Sequence, residues 1–414
     1  MMGQQTERRV VITGLGVVAP NGIGKQAFWH ATSNGISGIK PIQCFPTADL
    51  PIRVGGEVSD FVVEQYIERK LAKRTDRMTH LALAAVQNAL EDARIDITQE
   101  NPQRVGIVIA NTIGGAGYAY DQIELLYTRG PRAMSPFTSI SWLQVANVGQ
   151  TSLRYGIQGY CKTPVNDTAG GLDALGLASS AIRRGAADVI ITGGCEALLQ
   201  PYILLVMTQG AVCLPGDDPN AYRPFDCRAA GLLLAEGAGI CILEDYEHAL
   251  KRGVPLYGEI VGFGQTNDAQ SLRNAPASGD HYARAMGLAM REGDLSSRDL
   301  GYVSLDGRAL PAFDQIEAEA LYQVFGADAV QLPVSVPRTM LGHSFAAAGV
   351  LDTITALLSL EHRLIPPTIN CEEMDPRYKL NLVRGEAHRL TKDAVLICGR
   401  GLTGANVALA VRKI

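Results

Sequence analysis

One stretch constrains this chain more than any other: Thr163-Pro164-Val165-Asn166-Asp167-Thr168-Ala169-Gly170-Gly171-Leu172-Asp173-Ala174-Leu175. An extended segment breaks at Asn166-Asp167. Small residues follow, and Leu172, Leu175 and Ala178/Ser179 then fall on one face of a helix. Gly185 after Arg183-Arg184 ends that helix, as a glycine preceded by cations does. Ala187 to Gly193 reads as a buried strand, so the unit is strand, tight turn, helix, strand. Such a turn can hold a nucleophile: its side chain enters a cleft, and the helix N-terminus stabilises an anion there. The occupant is Thr168, whose hydroxyl is a weak nucleophile without an adjacent base. The competing reading is a helix cap, with Asp167 or Thr168 satisfying the first amides.

Around this unit the chain alternates strands and helices over 414 residues, a length for two or three domain-sized units. Val10 to Val18 is a strand. Its Gly14-x-Gly16-x-x-Ala19 loosely matches a dinucleotide fingerprint, but Pro20-Asn21-Gly22 stands where a helix should open. Met78, Leu81, Ala85, Ala89 and Ala93 repeat at helical spacing. Val105 to Ala110 is a buried strand feeding the glycine-rich Asn111 to Tyr120, and Ser135 to Gly149 reads as a helix. After Lys251-Arg252-Gly253 the pattern restarts: Leu256 to Gly264 echoes Val10 to Gly16, and two strands close the chain. Two halves of like order, 8–253 and 254–414, indicate an internal duplication.

A net charge of −5 argues against bulk nucleic-acid binding. No run of about 18 apolar residues is present to span a membrane, and the polar Met1 to Arg9 has no secretory core. The eight cysteines form no C-x-x-C pair and have no metal-site spacing, so no metal is expected. Buried free thiols in the cytoplasm are the expected state. Arg69, Lys70, Lys73, Arg74 and Arg77 cluster; the run is either a solvated helix face or a dock for an acidic partner. Glu236, among small and apolar residues, reads as a buried brace rather than a catalytic acid.

Val-Ile-Thr-Gly-Leu-Gly near the start, the Thr168 turn, Arg223-Pro-Phe-Asp226, Ala235-Glu-Gly-Ala-Gly239, Met340-Leu-Gly-His-Ser344 and the loop Arg400-Gly-Leu-Thr-Gly404 occur in one order. Together they resemble the condensing enzymes of the thiolase fold, in ketosynthase order and over nearly the whole chain. The resemblance implies an α/β class, layered α-β-α-β-α, with two duplicated βα halves. A working ketosynthase holds an acyl-carrying cysteine at the turn, two histidines that drive decarboxylation and stabilise an enolate, and a lysine. Here these positions fall on Thr168, Asp306, His343 and Arg338, and only His343 keeps its type. The resemblance implies that Thr168 faces Asp306 and His343, and that Asp306 would repel an enolate. The positions of a mobile gating loop fall on Arg400 and Leu402.

The surviving Ala-Gly-Gly-Leu-Asp-Ala-Leu, Arg-Gly-Leu-x-Gly-x-Asn and Ala309-Leu-Pro-Ala-Phe-Asp-Gln-Ile-Glu-Ala-Glu-Ala320 are similar to the chain length factor, the non-catalytic partner of the ketosynthase in type II polyketide synthases. It departs from the commonest members, which carry glutamine at the turn and mostly lose the histidine kept as His343. The resemblance implies a heterodimer with a catalytic ketosynthase, and a phosphopantetheine-bearing acyl carrier protein with no cofactor bound directly. A polyketide would grow along Thr112, Ile113, Ala116, Tyr118 and Tyr120. Ala116 hints at a longer tunnel, whereas Tyr118 and Tyr120 either plug it or pack the interface. The alternative is an atypical ketosynthase or malonyl-carrier decarboxylase using Thr168 or His343.

Overall fold

The computed structural model describes residues 8–269 and 277–414. Ten strands carry the architecture: β1 (Val10–Ala19), β2 (Val105–Ala110), β3 (Cys161–Lys162), β4 (Val189–Ala197), β5 (Glu236–Asp245), β6 (Gly258–Asn267), β7 (Leu300–Ser304), β8 (Pro333–Ser335), β9 (Ala394–Arg400) and β10 (Ala405–Arg412). The first half runs β1-β5-β4-β2-β3 and the second β6-β10-β9-β7-β8. Each strand of the second half takes the place of the strand five earlier, and the pairing senses repeat as well: antiparallel, antiparallel, parallel, parallel. The halves join where Val11 and Ile12 of β1 pair with Glu259 and Gly258 of β6.

The helices are α1 (Arg77–Asp92), α2 (Ala116–Arg129), α3 (Gly170–Arg183), α4 (Asp280–Glu292), α5 (Pro311–Phe325) and α6 (Ala346–His362). α3 and α6 are buried on nearly all faces, as expected of helices that are apolar or small all round. They lie between the two halves of the continuous sheet, while α1 and α4 cover the outer faces. The result is the five-layered α-β-α-β-α arrangement.

The glycine echo has a steric cause. A Cβ at Gly16 would fall 1.9 Å from the Ala85 carbonyl of α1, and one at Gly264 would fall 2.0 Å from the Ala285 carbonyl of α4. Both strands therefore need glycine where an outer helix presses on them. β1 runs unbroken through Gly14 and Gly16, so the dinucleotide turn does not form.

The expected helix over Ser135 to Gly149 is two pieces, Thr138–Ser141 and Ala146–Tyr155. The Trp142 carbonyl accepts the Gly115 N–H at 3.0 Å instead of continuing the helix. All eight cysteines are free; Cys195, Cys213, Cys241, Cys371 and Cys398 are buried, but Cys44 and Cys227 are exposed, unlike the expectation of buried thiols. Among the described residues no helix is long and apolar enough to cross a membrane.

Candidate functional site

The Thr168 turn is built by positive φ and close helix packing. Asp167 sits at φ 54°, and its carboxylate accepts the N–H groups of Thr168 and Thr403, both at 2.7 Å. α3 then begins at Gly170 without a side-chain cap, so Thr168 is not a helix-capping residue. A Cβ at Gly171 would meet the Ala346 carbonyl at 2.0 Å, which brings the first turns of α3 and α6 together. Thr168 is buried, and its hydroxyl donates to the Arg400 carbonyl.

Asp306 and Gly307 leave β7 in a turn held by Glu317 of α5, which accepts both N–H groups at 2.8 Å. The Tyr282 hydroxyl donates to the same carboxyl at 3.0 Å. This turn delivers Arg308 into the space beside Thr168. Arg308 donates from Nε to Asp306 at 2.8 Å and from Nη2 to the Arg400 carbonyl at 2.6 Å, and its Nη2 lies 3.5 Å from the Thr168 hydroxyl. The guanidinium lies 5.0 Å from the centre of the Phe313 ring, which the Arg400 guanidinium also approaches at 5.4 Å. Thr168 therefore faces Arg308 and a peptide carbonyl, which corrects the expectation that it faces Asp306 and His343.

Asp306 is also corrected. It is not a bare anion, because Arg338 bonds its Oδ1 and Arg308 its Oδ2. Burial pushes its pKa up, yet the two guanidinium groups hold it well below the ordinary carboxylate value. Arg338 donates onward to Asp352 at 2.6 Å. Burial lifts Asp352 to about 6 against the pull of Arg338, so it stays ionised at neutral pH. The chain Arg308–Asp306–Arg338–Asp352 is thus a charge-balanced network, with every member no more than 2% exposed.

His343 is fully buried. Phe345, at φ 43°, donates its N–H to His343 Nδ1 at 3.1 Å. Nε2 lies 3.1 Å from Arg338 Nη1 and 3.9 Å from Asp306. Burial pushes the imidazole down to about 4, with Asp306 opposing and Arg338 adding to the effect, so it is neutral at pH 7. Both contacts come from donors, the Phe345 N–H on Nδ1 and Arg338 Nη1 beside Nε2, and a neutral imidazole can accept at only one of its two nitrogens.

Arg400 is the last residue of β9, with Nε on Asn406 at 3.1 Å and Nη2 on Asp268 at 3.0 Å. Those bonds fix it as scaffold rather than as part of a mobile gate. Leu402 packs in one apolar cluster with Ile113, Ala116 and Phe345. Thr112 is tied instead to the Thr168 turn, its hydroxyl donating to the Asp167 carbonyl at 3.1 Å. Tyr118 and Tyr120 are placed differently. Tyr118 is half-buried and donates its N–H to Asp76 at 2.8 Å, while Tyr120 is exposed and stacks on Tyr202 at 5.2 Å.

Within the cationic run, Arg69, Lys70 and Lys73 are exposed on and just after the short helix Arg69–Ala72. Arg74 lies over the Phe137 ring at 4.3 Å. Arg77 does not belong to that surface set: it donates from Nε and Nη2 to the two oxygens of buried Glu236, both at 2.6 Å. Glu236 also accepts the Val58 N–H at 2.9 Å, which makes it the brace its sequence context suggests.

Sequence reasoning missed Arg308, Glu317 and Phe313. The signal available was Asp306-Gly-Arg308 directly after a buried strand, where an arginine in an apolar setting needs an acidic partner. Chemically, no base among the described residues bonds the hydroxyl of Thr168. Its hydroxyl is bonded to a carbonyl, and its other polar neighbour is itself a donor. Among the described residues no cluster of His, Cys, Asp and Glu is arranged to hold a metal.

The duplicated layers and this turn define the thiolase-fold ketosynthases. Residues 7–249 match the beta-ketoacyl synthase N-terminal domain and residues 257–372 the beta-ketoacyl synthase C-terminal domain, so the chain belongs to the beta-ketoacyl synthase family. It is 38% identical to the tetracenomycin polyketide synthase ketoacyl synthase beta subunit of Streptomyces glaucescens, over 98% of each chain. It is 36% identical to the 3-oxoacyl-(acyl-carrier-protein) synthase 2 of Synechocystis sp., over 100% of each. Among solved structures it is similar to the ishigamide ketosynthase/chain length factor, with a TM-score of 0.92 and 28% identity over 99% of this chain and 100% of that one. It is also similar to a type II polyketide synthase acyl-carrier protein in complex with its ketosynthase bound to the hexaketide, with a TM-score of 0.90 and 28% identity, covering 99% of this chain and 100% of that one.

Proposed function

We propose that this chain is a chain length factor: it pairs with a catalytic ketosynthase and shapes the tunnel that sets polyketide length, for an aromatic product. The observation that carries this reading is the filled chamber at Thr168. The residue at the nucleophile turn donates its hydroxyl to a peptide carbonyl, and the space before it holds Arg308 within a closed ion network. Acyl transfer needs an activated nucleophile and a vacant place for the acyl group. Similarity to a ketoacyl synthase beta subunit and to a ketosynthase/chain length factor structure supports the same reading.

In this reading the partner ketosynthase supplies the cysteine, and an acyl carrier protein with its phosphopantetheine arm supplies extender units. The growing polyketide passes Thr112, Ile113 and Ala116. Exposed Arg69, Lys70 and Lys73, with Arg74 beside them, meet the acidic carrier. The test is co-expression with a ketosynthase, a carrier protein and a malonyl source, with product length read by mass spectrometry. Ala116→Phe shortens the product, and Thr168→Ala leaves both length and yield unchanged. Loss of synthesis by Thr168→Ala in an assembled complex overturns the reading. So does malonyl-carrier decarboxylation by the isolated chain that disappears in His343→Ala, the result the decarboxylase alternative requires.

A further inference from the structure

Glu196, in the last part of β4, has no part in the ion network, yet it bears on both the Thr112 loop and the start of α6. Its side chain is fully buried. Oε1 accepts the Thr112 N–H, at the start of the loop that carries Ile113 and leads into α2 at Ala116. The amides of Ile113 and of Ala346, the first residue of α6, also bear on the carboxyl, although Oε2 closes no hydrogen bond. Two residues before it on β4, a Cβ at Gly194 would fall 2.3 Å from the Ala346 carbonyl, so strand and helix start are in direct contact here. Thr112 in turn donates its hydroxyl to Asp167. One carboxyl therefore sits where the Thr112 loop, the Thr168 turn and the Phe345 turn meet.

We propose that Glu196 is a positioning residue for product length: it holds the Thr112–Ile113 wall against the first turn of α6 and so determines how far Ile113 and Ala116 stand into the tunnel. This rests on the chain-length reading above.

The groups around Glu196 allow the idea to be tested by pH. Burial pushes its carboxyl up to about 8, against the hydrogen bonds from Thr112. The two elements that face it contribute peptide amides from Thr112, Ile113 and Ala346, none with a titratable side chain. On its own strand Cys195 is fully buried, its thiol held protonated by burial and then by Glu196, with Asp76 beyond. Above pH 8 the carboxyl ionises, draws the amides of Ile113 and Ala346 toward Oε2 and moves the loop. Glutamine keeps the acceptor for Thr112 and does not ionise.

The experiment uses the chain co-purified with its ketosynthase, with carrier protein and malonyl extender added. Product-length ratios are measured at pH 7 and pH 9 for wild type, Glu196→Gln and Glu196→Ala, with Ala116→Phe as a control. The wild-type ratio is expected to change at least twofold between the two pH values and the Glu196→Gln ratio to stay at its pH 7 value. Glu196→Ala is expected to broaden the length distribution at pH 7 while malonyl consumption stays within twofold of wild type. If Ala116→Phe shifts length but wild type and Glu196→Gln respond alike to pH, the inference on Glu196 is wrong and the chain-length reading stands. If Ala116→Phe also has no effect, both fail. Should Glu196→Ala not assemble, the comparison of wild type with Glu196→Gln decides alone.

Discussion

Consider replacing Arg308 with methionine, which keeps much of the stem volume and removes the charge. Arg308 and Asp306 are each 2% exposed and bonded at 2.8 Å, and Asp306 shares its other oxygen with Arg338. Removing Arg308 leaves one guanidinium between two carboxylates, a buried net charge of −1. Removing one partner of a buried ion pair costs about 3–5 kcal/mol, because the remaining charge is uncompensated. Asp306→Asn leaves the opposite imbalance, with two buried arginines and only Asp352, bonded to Arg338, against them, and a cost of the same order. The double variant keeps only the balanced pair Arg338–Asp352, bonded at 2.6 Å. It should therefore cost about 2–3 kcal/mol less than the sum of the single variants, as contacting charges couple. At about 2.1 cal/mol/K of unfolding entropy per residue, a chain of 414 residues loses about 4–5 °C for ~4 kcal/mol. Calorimetry of the co-purified complex, with urea titration as a second probe, measures all four forms. Single variants that add within about 0.5 kcal/mol would show that the network is not the electrostatic unit described.

Other outcomes follow from the same geometry. Reversing charge at Arg69, Lys70 and Lys73 is expected to lower cross-linking to the carrier protein at least tenfold at low salt, with little change in stability; unchanged cross-linking and titre remove the docking surface. The His343 imidazole is held near 4, below its unfolded value of 6.5. Stability from keeping it neutral is complete above about pH 6.5 and is lost as pH falls toward 4, by up to ~3 kcal/mol. His343→Asn, which can still accept the Phe345 N–H, flattens that part of the stability profile; an unchanged slope refutes the assignment. Arg77→Met leaves Glu236 buried without its bidentate partner and costs about 3 kcal/mol in urea unfolding, whereas Lys73→Met, on the exposed surface, changes stability by less than about 0.5 kcal/mol.

Much of the fold was legible in advance because it is written in local pattern. Alternating buried strands and helices, the restart after Gly253, and the glycine echo between Gly16 and Gly264 all reflect short-range geometry repeated twice. The residues that line the turn were named in advance as well, since Thr168, Asp306, Arg338 and His343 stand in recognisable motifs. The broken segment over Ser135 to Gly149 was not legible, because its kink depends on a hydrogen bond from Gly115, distant in sequence.

The sequence by itself determined which residues stand at the turn, and hence that no thiolate can form there. It also determined the two-half layered architecture, through periodicity and glycine placement. Only the tertiary structure decided how those residues are used. Arg308 reaches Thr168 across 140 positions, Arg77 leaves the cationic surface for a carboxylate 159 positions away, and Glu196 ties a loop 84 positions before it. Buried charges choose partners by proximity in the folded state, where desolvation makes a missing partner costly, and neither proximity nor desolvation has a local signature in the chain.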